Sequence, residues 1–598
     1  MHSQNISASS LREKFLKFFS LQGHKVLPSS SLLPENDPTV LFATAGMQQF
    51  KRFYLFPNEA SSSRITTCQK CVRTGDIDEV GDETHLTFFE MLGNFSFGYP
   101  KTENSYFKKE AIEFAWRFLT EELEIDRSRI SATYFAGDKG VSSDEESKGL
   151  LQEITGLEDS RILGTGFSET FWSLGSEGSP GGPTVEFYVD GVEVWNLVFN
   201  QYVLRDGKYE PSEFRGVDTG MGFERLLAMM QNKSDIYQTD LFEPMLKKIE
   251  QWTDLKYGDK ADEQYRDEDK QCRVDMRKDM RIILDHIRAA VFMLNDGIEP
   301  SNKGQGYILR RLIRRAIVKA RNLKIDKNFT AELAKESQTA YPKYEFTADK
   351  INLELEKEEL KFRKTLENGL RQFESMAQTN DQKPKLNATK LFDLYQTYGL
   401  PIEMSVELAA ERNIIIEDGA LDQFENMKRE HQEKSRTASA GMFKGGLADN
   451  KIETTRLHTT AHLMLAALRR ILGDHVVQRG SNITEERLRF DFTHNQKMSE
   501  DEINKVENLV NEKIEENLPI SMEEMNVDDA KSSGAMGVFD NRYGEKVKVY
   551  TIGTGDNVFS REICGGPHVG STGELGHFKI VKEESSSSGV RRIKAVLS

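Results

Sequence analysis

Hydrophobic and polar positions change their period several times along the chain. Residues 8–22 carry Leu11, Phe15, Phe18 and Phe19 at helical spacing, which predicts an amphipathic helix with one buried face. Beyond it the apolar runs shorten. Residues 40–42, 184–189 and 194–199 alternate with Gly, Pro, Asn and Asp turns, the pattern of strands in a mixed α/β domain covering 1–240. From 241 to 436 the pattern is helical, with long charged stretches such as 353–372. Residues 437–450 are rich in Ser, Gly and Asn, have little periodicity, and read as a linker. In 451–598 a helix precedes strand-like segments, among them 487–492 and 546–552, and the serine run 585–588 reads as a loop tip. The expectation is a multidomain α/β protein.

Length and composition agree. A chain of 598 residues exceeds what one core usually serves. The formal net charge of −16 repels nucleic acid in bulk, so any RNA contact requires a local basic patch. Four cysteines make no disulfide framework in a chain this long. No run of about 18 apolar residues spans a membrane, and the polar first ten residues lack the core of a secretory signal, so a cytoplasmic location is expected.

Two constellations carry chemistry by residue type. His458-Thr-Thr-Ala-His462 puts two imidazoles on one helix face, and Cys564-Gly-Gly-Pro-His568 adds a thiolate and a third imidazole from a glycine-rich turn. Together they are four ligands of the types zinc takes. Cys68-Gln-Lys-Cys71 has no second pair at suitable spacing and is not read as a metal site. The other constellation is a basic run, Lys303 to Arg321. On a helix Arg310 and Arg314 share a face, as do Arg311, Arg315 and Lys319. Such a stripe suits RNA phosphates, and equally describes a solvated helix face.

Three segments of the first domain resemble the signature motifs of class II aminoacyl-tRNA synthetases, in the form used by the alanine enzymes. They are Ser29 to Met47, Cys71-Val-Arg73 with His85-Leu-Thr-Phe-Phe-Glu-Met-Leu-Gly-Asn-Phe-Ser-Phe-Gly98, and Val217-Asp-Thr-Gly-Met-Gly-Phe-Glu-Arg225. The resemblance implies an antiparallel-sheet catalytic domain, a helical tRNA-recognition domain and an α+β editing domain. It implies ATP, accompanied by Mg2+, alanine and tRNA(Ala), the last held through its acceptor stem. By the same resemblance Arg73 and Arg225 hold ATP, Phe89 stacks on adenine, and Gly220 and Gly222 let the backbone approach the ligand. Planar guanidinium forks suit phosphate and base alike. Asp218 pairs with the alanine ammonium, and Met91, Trp172 and Val198 wall its pocket. Phe89, Trp172 and Val198 taken alone are equally core residues.

The resemblance extends to the other domains. Pro300-Ser-Asn302 and the basic helix match the tRNA-recognition domain, where the asparagine reads an acceptor-stem G·U pair. The partner acid of the family is Gln396 here, within Leu394-Tyr-Gln-Thr-Tyr-Gly399. His458, His462, Cys564 and His568 match the zinc ligands of the editing domain of alanyl and threonyl enzymes, one ion per chain, and Gln478 matches a pocket residue. Such a second, hydrolytic site is needed because one methyl group is worth only about 1–3 kcal/mol of discrimination, so glycine and serine enter an alanine pocket. The zinc could activate water, hold the substrate amine or organise the fold.

Three departures accompany the match. The loop after Arg73 reads Thr-Gly-Asp-Ile-Asp78, without the family's lysine, so another cation or magnesium must supply that charge. The segment Gly178 to Glu186 lacks the family's cysteines. Neither a β-barrel before the editing helix nor a C-terminal domain is recognisable, and a monomer is therefore expected. A non-catalytic relative and a threonyl enzyme are the alternative readings. The first is opposed by Arg73, Asp218 and Arg225, the second by the lack of a recognisable anticodon-binding domain.

Overall fold

The computed structural model describes residues 6–34, 40–173, 175–253, 255–258, 267–377, 385–412, 414–440, 451–537, 546–555, 557–587 and 589–598. The chain forms two compact units, 1–386 with 393–416, and 387–392 with 417–598.

The first unit is built on one sheet. Its strands are β1 (Lys25–Val26), β2 (Arg64–Val72), β3 (Phe88–Tyr99), β4 (Ile130–Phe135), β5 (Ile162–Thr165), β6 (Phe171–Ser173), β7 (Pro180–Val189), β8 (Val192–Arg205) and β9 (Lys208–Gly222). Their order is β1-β2-β3-β9-β8-β7-β4-β5, with β6 on β7. Only β1–β2 and β4–β5 pair in parallel. The predicted N-terminal helix is Ala8–Leu21, capped by Ser7, and its Leu11, Phe15, Phe18 and Phe19 are buried. Phe15 and Phe19 meet Trp195 on β8, and Phe15 and Phe18 meet Phe118. Each such ring contributes about 1.5–3 kcal/mol through burial. Residues 40–42 join no ladder.

The expected boundary at residue 240 does not separate compact units. Helices Asp267–Asn295, Gly304–Asn322, Thr330–Thr339 and Ala348–Ala377 pack in the same unit as the sheet. Phe292 stacks on Phe88 at 4.1 Å between ring centroids. Buried ion pairs add to this: Lys70–Asp296 at 2.6 Å, Arg288–Glu224 at 2.8 Å and Arg281–Asp235 at 2.9 Å. β10 (Lys385–Leu386) and β11 (Ile415–Ile416) pair in parallel.

The second unit contains the helices Ala420–Ala440 and Ile452–Leu472 and two four-stranded sheets. β12 (Gln478–Ile483), β13 (Leu488–Thr493), β18 (Phe578–Ser587) and β19 (Val590–Leu597) form one, in the order β12-β13-β19-β18. β14 (Ile520–Asn526), β15 (Met536–Gly537), β16 (Lys546–Ile552) and β17 (Ser560–Ile563) form the other, in the order β14-β16-β17-β15. Leu463, Met464 and Leu468 of the helix join Phe490, Phe492 and Ile593 in the core. Residues 585–587 of the serine run continue β18, because a tight turn at Gly589 returns the chain into β19. Of the expected linker, 437–440 are helical and 441–450 lie outside the described residues.

Candidate functional sites

The first unit holds a cavity of about 280 Å³ over the middle of its sheet, and Arg73, Phe89, Met91, Trp172, Val198, Asp218, Gly220, Gly222 and Arg225 all line it. The ladder brings them together. Asp218 pairs with Val198 across β9–β8 and Met91 with Gly222 across β3–β9. Trp172 arrives on β6, and Arg225 lies in the helix Phe223–Met230 that continues β9. Arg73 and Arg225 are exposed cations. The Arg73 guanidinium covers the half-buried Phe89 at 4.9 Å from its centroid, while Arg225 donates to Glu193 O at 3.1 Å.

Asp218 is 6% exposed, and burial pushes its carboxyl up to about 7. The two glycines differ. A Cβ at Gly220 would lie 2.9 Å from Met91 Sδ, so the far end of that flexible side chain would have to shift. At Gly222 the nearest atom is Arg225 Cβ at 3.8 Å, leaving room for a ligand. Reasoning from sequence missed Asp76, His85, Glu193, Asn196 and Glu224, which also line the cavity. His85 and Glu224 stand inside the quoted motifs, whereas Asn196 shows itself only through its buried, unpartnered Oδ1.

In the second unit His458 and His462 project from the helix Ile452–Leu472, and Cys564 and His568 follow β17. Their ligand atoms lie within 4.8 Å of one another. His458 Nδ1 donates to Pro567 O at 3.0 Å and His462 Nδ1 to Glu562 Oε2. Thr459 Oγ1 gives its proton to Thr455 O, so His568 Nδ1 donates to it at 3.2 Å. Each outer nitrogen is thereby engaged, so Nε2 of each ring faces inward and is the lone-pair nitrogen whenever the ring is neutral. Nε2 of His462 and of His568 are buried and without a hydrogen-bond partner among the described residues, while that of His458 lies 3.4 Å from Cys564 Sγ.

Burial raises the Cys564 thiol, but the three imidazoles facing it outweigh burial and bring it down to about 2. Burial alone would lower His462, yet Glu562 holds it well above its ordinary value, while burial takes His568 down to about 4. A thiolate with three inward imidazole lone pairs fits zinc. Gln478 lies on β12 in the other sheet, where its amide donates to Ser481 Oγ.

The basic stripe requires a correction. Arg311, Arg314, Arg315 and Lys319 are under 10% exposed and ion-paired, with Asp78, Glu358, Glu407 and Glu411 respectively. The helix Gly304–Asn322 packs that face inward, because these arginines meet carboxylates rather than water. Arg310 pairs with Glu358 and donates to Asn302 Oδ1 and Pro300 O. Arg314 donates to Gly399 O. Asn302 and Gln396 themselves are exposed.

The profile of tRNA synthetases class II (A) matches residues 10–470, and that of the threonyl and alanyl tRNA synthetase second additional domain matches 547–594. With the antiparallel sheet and its cavity, these matches define a class II aminoacyl-tRNA synthetase. Similar curated sequences include the alanine–tRNA ligases of Treponema pallidum, 44% identical and covering 99% of this chain and 98% of that one, and of Treponema denticola, 44% identical over the whole of both. That of Carboxydothermus hydrogenoformans is 34% identical, over 98% of this chain and 80% of its own length. The chain belongs to the alanine–tRNA ligase family.

Proposed function

We propose that this chain joins alanine to tRNA(Ala) in its first unit and hydrolyses Ser-tRNA(Ala) and Gly-tRNA(Ala) in its second. The observation that carries the first half is the buried Asp218 in a cavity rimmed by two exposed arginines. A carboxylate without a counter-charge is costly there, and an α-ammonium group supplies the missing charge. Val198 and Trp172 limit the side chain beyond it. The alanine carboxylate then attacks the α-phosphorus of ATP. The new bond is carboxyl oxygen to phosphorus, and the bond to the β-phosphate breaks, releasing pyrophosphate. Arg73 and Arg225 stabilise the charge that gathers on the phosphate oxygens. Mg2+ accompanies ATP; beside the two exposed arginines the cavity carries the half-buried carboxylates of Asp76 and Glu193. A terminal ribose hydroxyl of tRNA next attacks the acyl carbon and AMP departs.

In the second unit His458, His462, Cys564 and His568 would hold one zinc ion. Bound zinc supplies Lewis acidity or an anchor for the substrate, and four protein ligands leave a further position only if one is displaced. Glu562, Pro567 and Thr459 engage each Nδ1, so that Nε2 would be the nitrogen offered to the metal. Asn302 and Gln396 would read the acceptor-stem G·U pair. The reading carries with it a cytoplasmic location; no helix among the described residues is long and apolar enough to cross a membrane. ATP–pyrophosphate exchange with alanine, serine, glycine and threonine tests it. Exchange dependent on alanine is expected, and none with any of the four overturns the reading.

A further inference from the structure

The segment from Arg73 to Thr87 leaves β2 and returns to β3, carrying Arg73, Asp76, Thr84 and His85 into the first cavity. Its base is closed by Arg73 N–H donating to Thr87 O at 3.0 Å. Ile236 N–H donates to Glu83 O at 3.2 Å, Tyr237 Oη to His85 O at 2.9 Å and Arg73 Nε to Thr44 O at 3.4 Å. Further grips come from two helices, Asp267–Asn295 and Gly304–Asn322. Arg311 pairs with Asp78, and Arg315 Nη1 donates to Ile77 O at 2.7 Å. Arg281 donates to Gly81 O at 3.0 Å and pairs with Glu83 at 3.0 Å. Asp285 Oδ1 accepts the Thr87 N–H at 2.8 Å. The approach is close: Gly81 has φ +136, and a Cβ there would come within 2.7 Å of Lys278 Cγ.

The grips are also tied to each other. His286 Nδ1 donates to Asp285 Oδ2 at 2.8 Å, its Nε2 faces Arg315 Nη1 at 3.0 Å, and Arg315 forks onto Glu407 at 2.8 and 2.9 Å. Asp285 and His286 are wholly buried and Arg315 is 3% exposed. Buried charges of this kind keep one geometry, because breaking any partner strands the others. The loop's carbonyls at Ile77 and Gly81 and its N–H at Thr87 are parts of that geometry.

We propose that Arg281, Asp285, Arg311 and Arg315 are positioning residues for ATP, acting through the loop that carries Arg73. The stripe that resembles an RNA-binding surface thus serves nucleotide binding from behind. This rests on the reading of Arg73 as a phosphate ligand. Alanine binding is affected less, because Trp172, Val198 and Asp218 sit on β6, β8 and β9, whereas the bonds of Arg281, Asp285, Arg311 and Arg315 named above reach the loop.

The test is pyrophosphate exchange by the full chain without tRNA, varying ATP and alanine separately, with thermal melting alongside. Arg311→Gln is the principal variant, since its partner Asp78 is 68% exposed and the change is mild. KM for ATP is expected to rise about tenfold, with KM for alanine within about twofold and melting unchanged. Asp78→Asn should match it, and the double variant should be no worse than either single. An unchanged KM for ATP in Arg311→Gln and in Arg315→Lys overturns the proposal. So does a rise in both KM values together with a lower melting temperature. Arg73→Ala separates the two readings: if it leaves ATP use intact while Arg311→Gln weakens it, the clamp stands and the role of Arg73 falls.

Discussion

Asp218 on β9 and Val198 on β8 are register partners, so the buried carboxylate and the apolar wall beside it are set by a single rung of the ladder. Burial holds the Asp218 carboxyl at about 7, against 3.8 for the free group. The folded protein therefore keeps a proton that the unfolded chain releases, and this group's contribution to stability falls as pH rises from about 4 to about 7. Alanine needs the ionised form. KM for alanine is expected to fall about tenfold between pH 6 and pH 8 as that form fills. Asp218→Asn should raise KM and flatten its pH profile. A pH dependence kept in that variant assigns the titration elsewhere.

Gly220 and Gly222 separate packing from ligand access. Gly220→Ala must displace the flexible end of Met91, which costs about 1 kcal/mol of stability, read by chemical denaturation. Gly222→Ala meets only ordinary contact inside the protein. It should melt like the parent and yet raise KM for ATP. Equal melting losses in both variants would contradict the difference.

The carboxylate behind His462 should bear on zinc affinity. Cys564→Ala should lose the one equivalent of zinc and the hydrolysis of Ser-tRNA(Ala), while alanine-dependent exchange persists. Glu562→Gln keeps all four ligands but removes the carboxylate that orients His462. Its zinc affinity should fall about 10–100-fold, measured by chelator competition. Undiminished affinity would mean that Glu562 serves packing only.

Legibility followed locality. The clustering of His458, His462, Cys564 and His568 was readable because each half is a short motif on one turn, and that of the cavity residues because each motif is continuous. The direction of the basic helix was not readable. Arg311, Arg314, Arg315 and Lys319 have helical spacing that suits water as well as it suits Asp78, Glu358, Glu407 and Glu411, all four of which lie over 40 residues away. Asn196 was hidden for a similar reason, since only the β8–β9 register places it beside Gly220. The expected separation of catalytic and helical domains failed on Lys70–Asp296 and Arg288–Glu224, pairs that no local pattern announces.

The same burial splits the predicted tRNA residues into two kinds. Arg314 is bonded to Glu358 and to Gly399 O, and Arg314→Ala leaves the buried Glu358 to Arg310 alone and the Gly399 carbonyl without that donor. It should cost about 1–3 kcal/mol of stability, and any loss of charging should follow from that. Asn302 is exposed, and its amide is oriented by Arg310. Asn302→Ala should leave melting unchanged and lower charging of the G·U acceptor stem. Gln396 accepts a hydrogen bond without charge, so Gln396→Asp should sharpen the preference for G·U over G·C by strengthening that bond. Charging assays on acceptor-stem variants, with melting curves for each protein, decide between these outcomes. If Asn302→Ala and Gln396→Asp both leave the G·U preference unchanged, that pair is read by other residues.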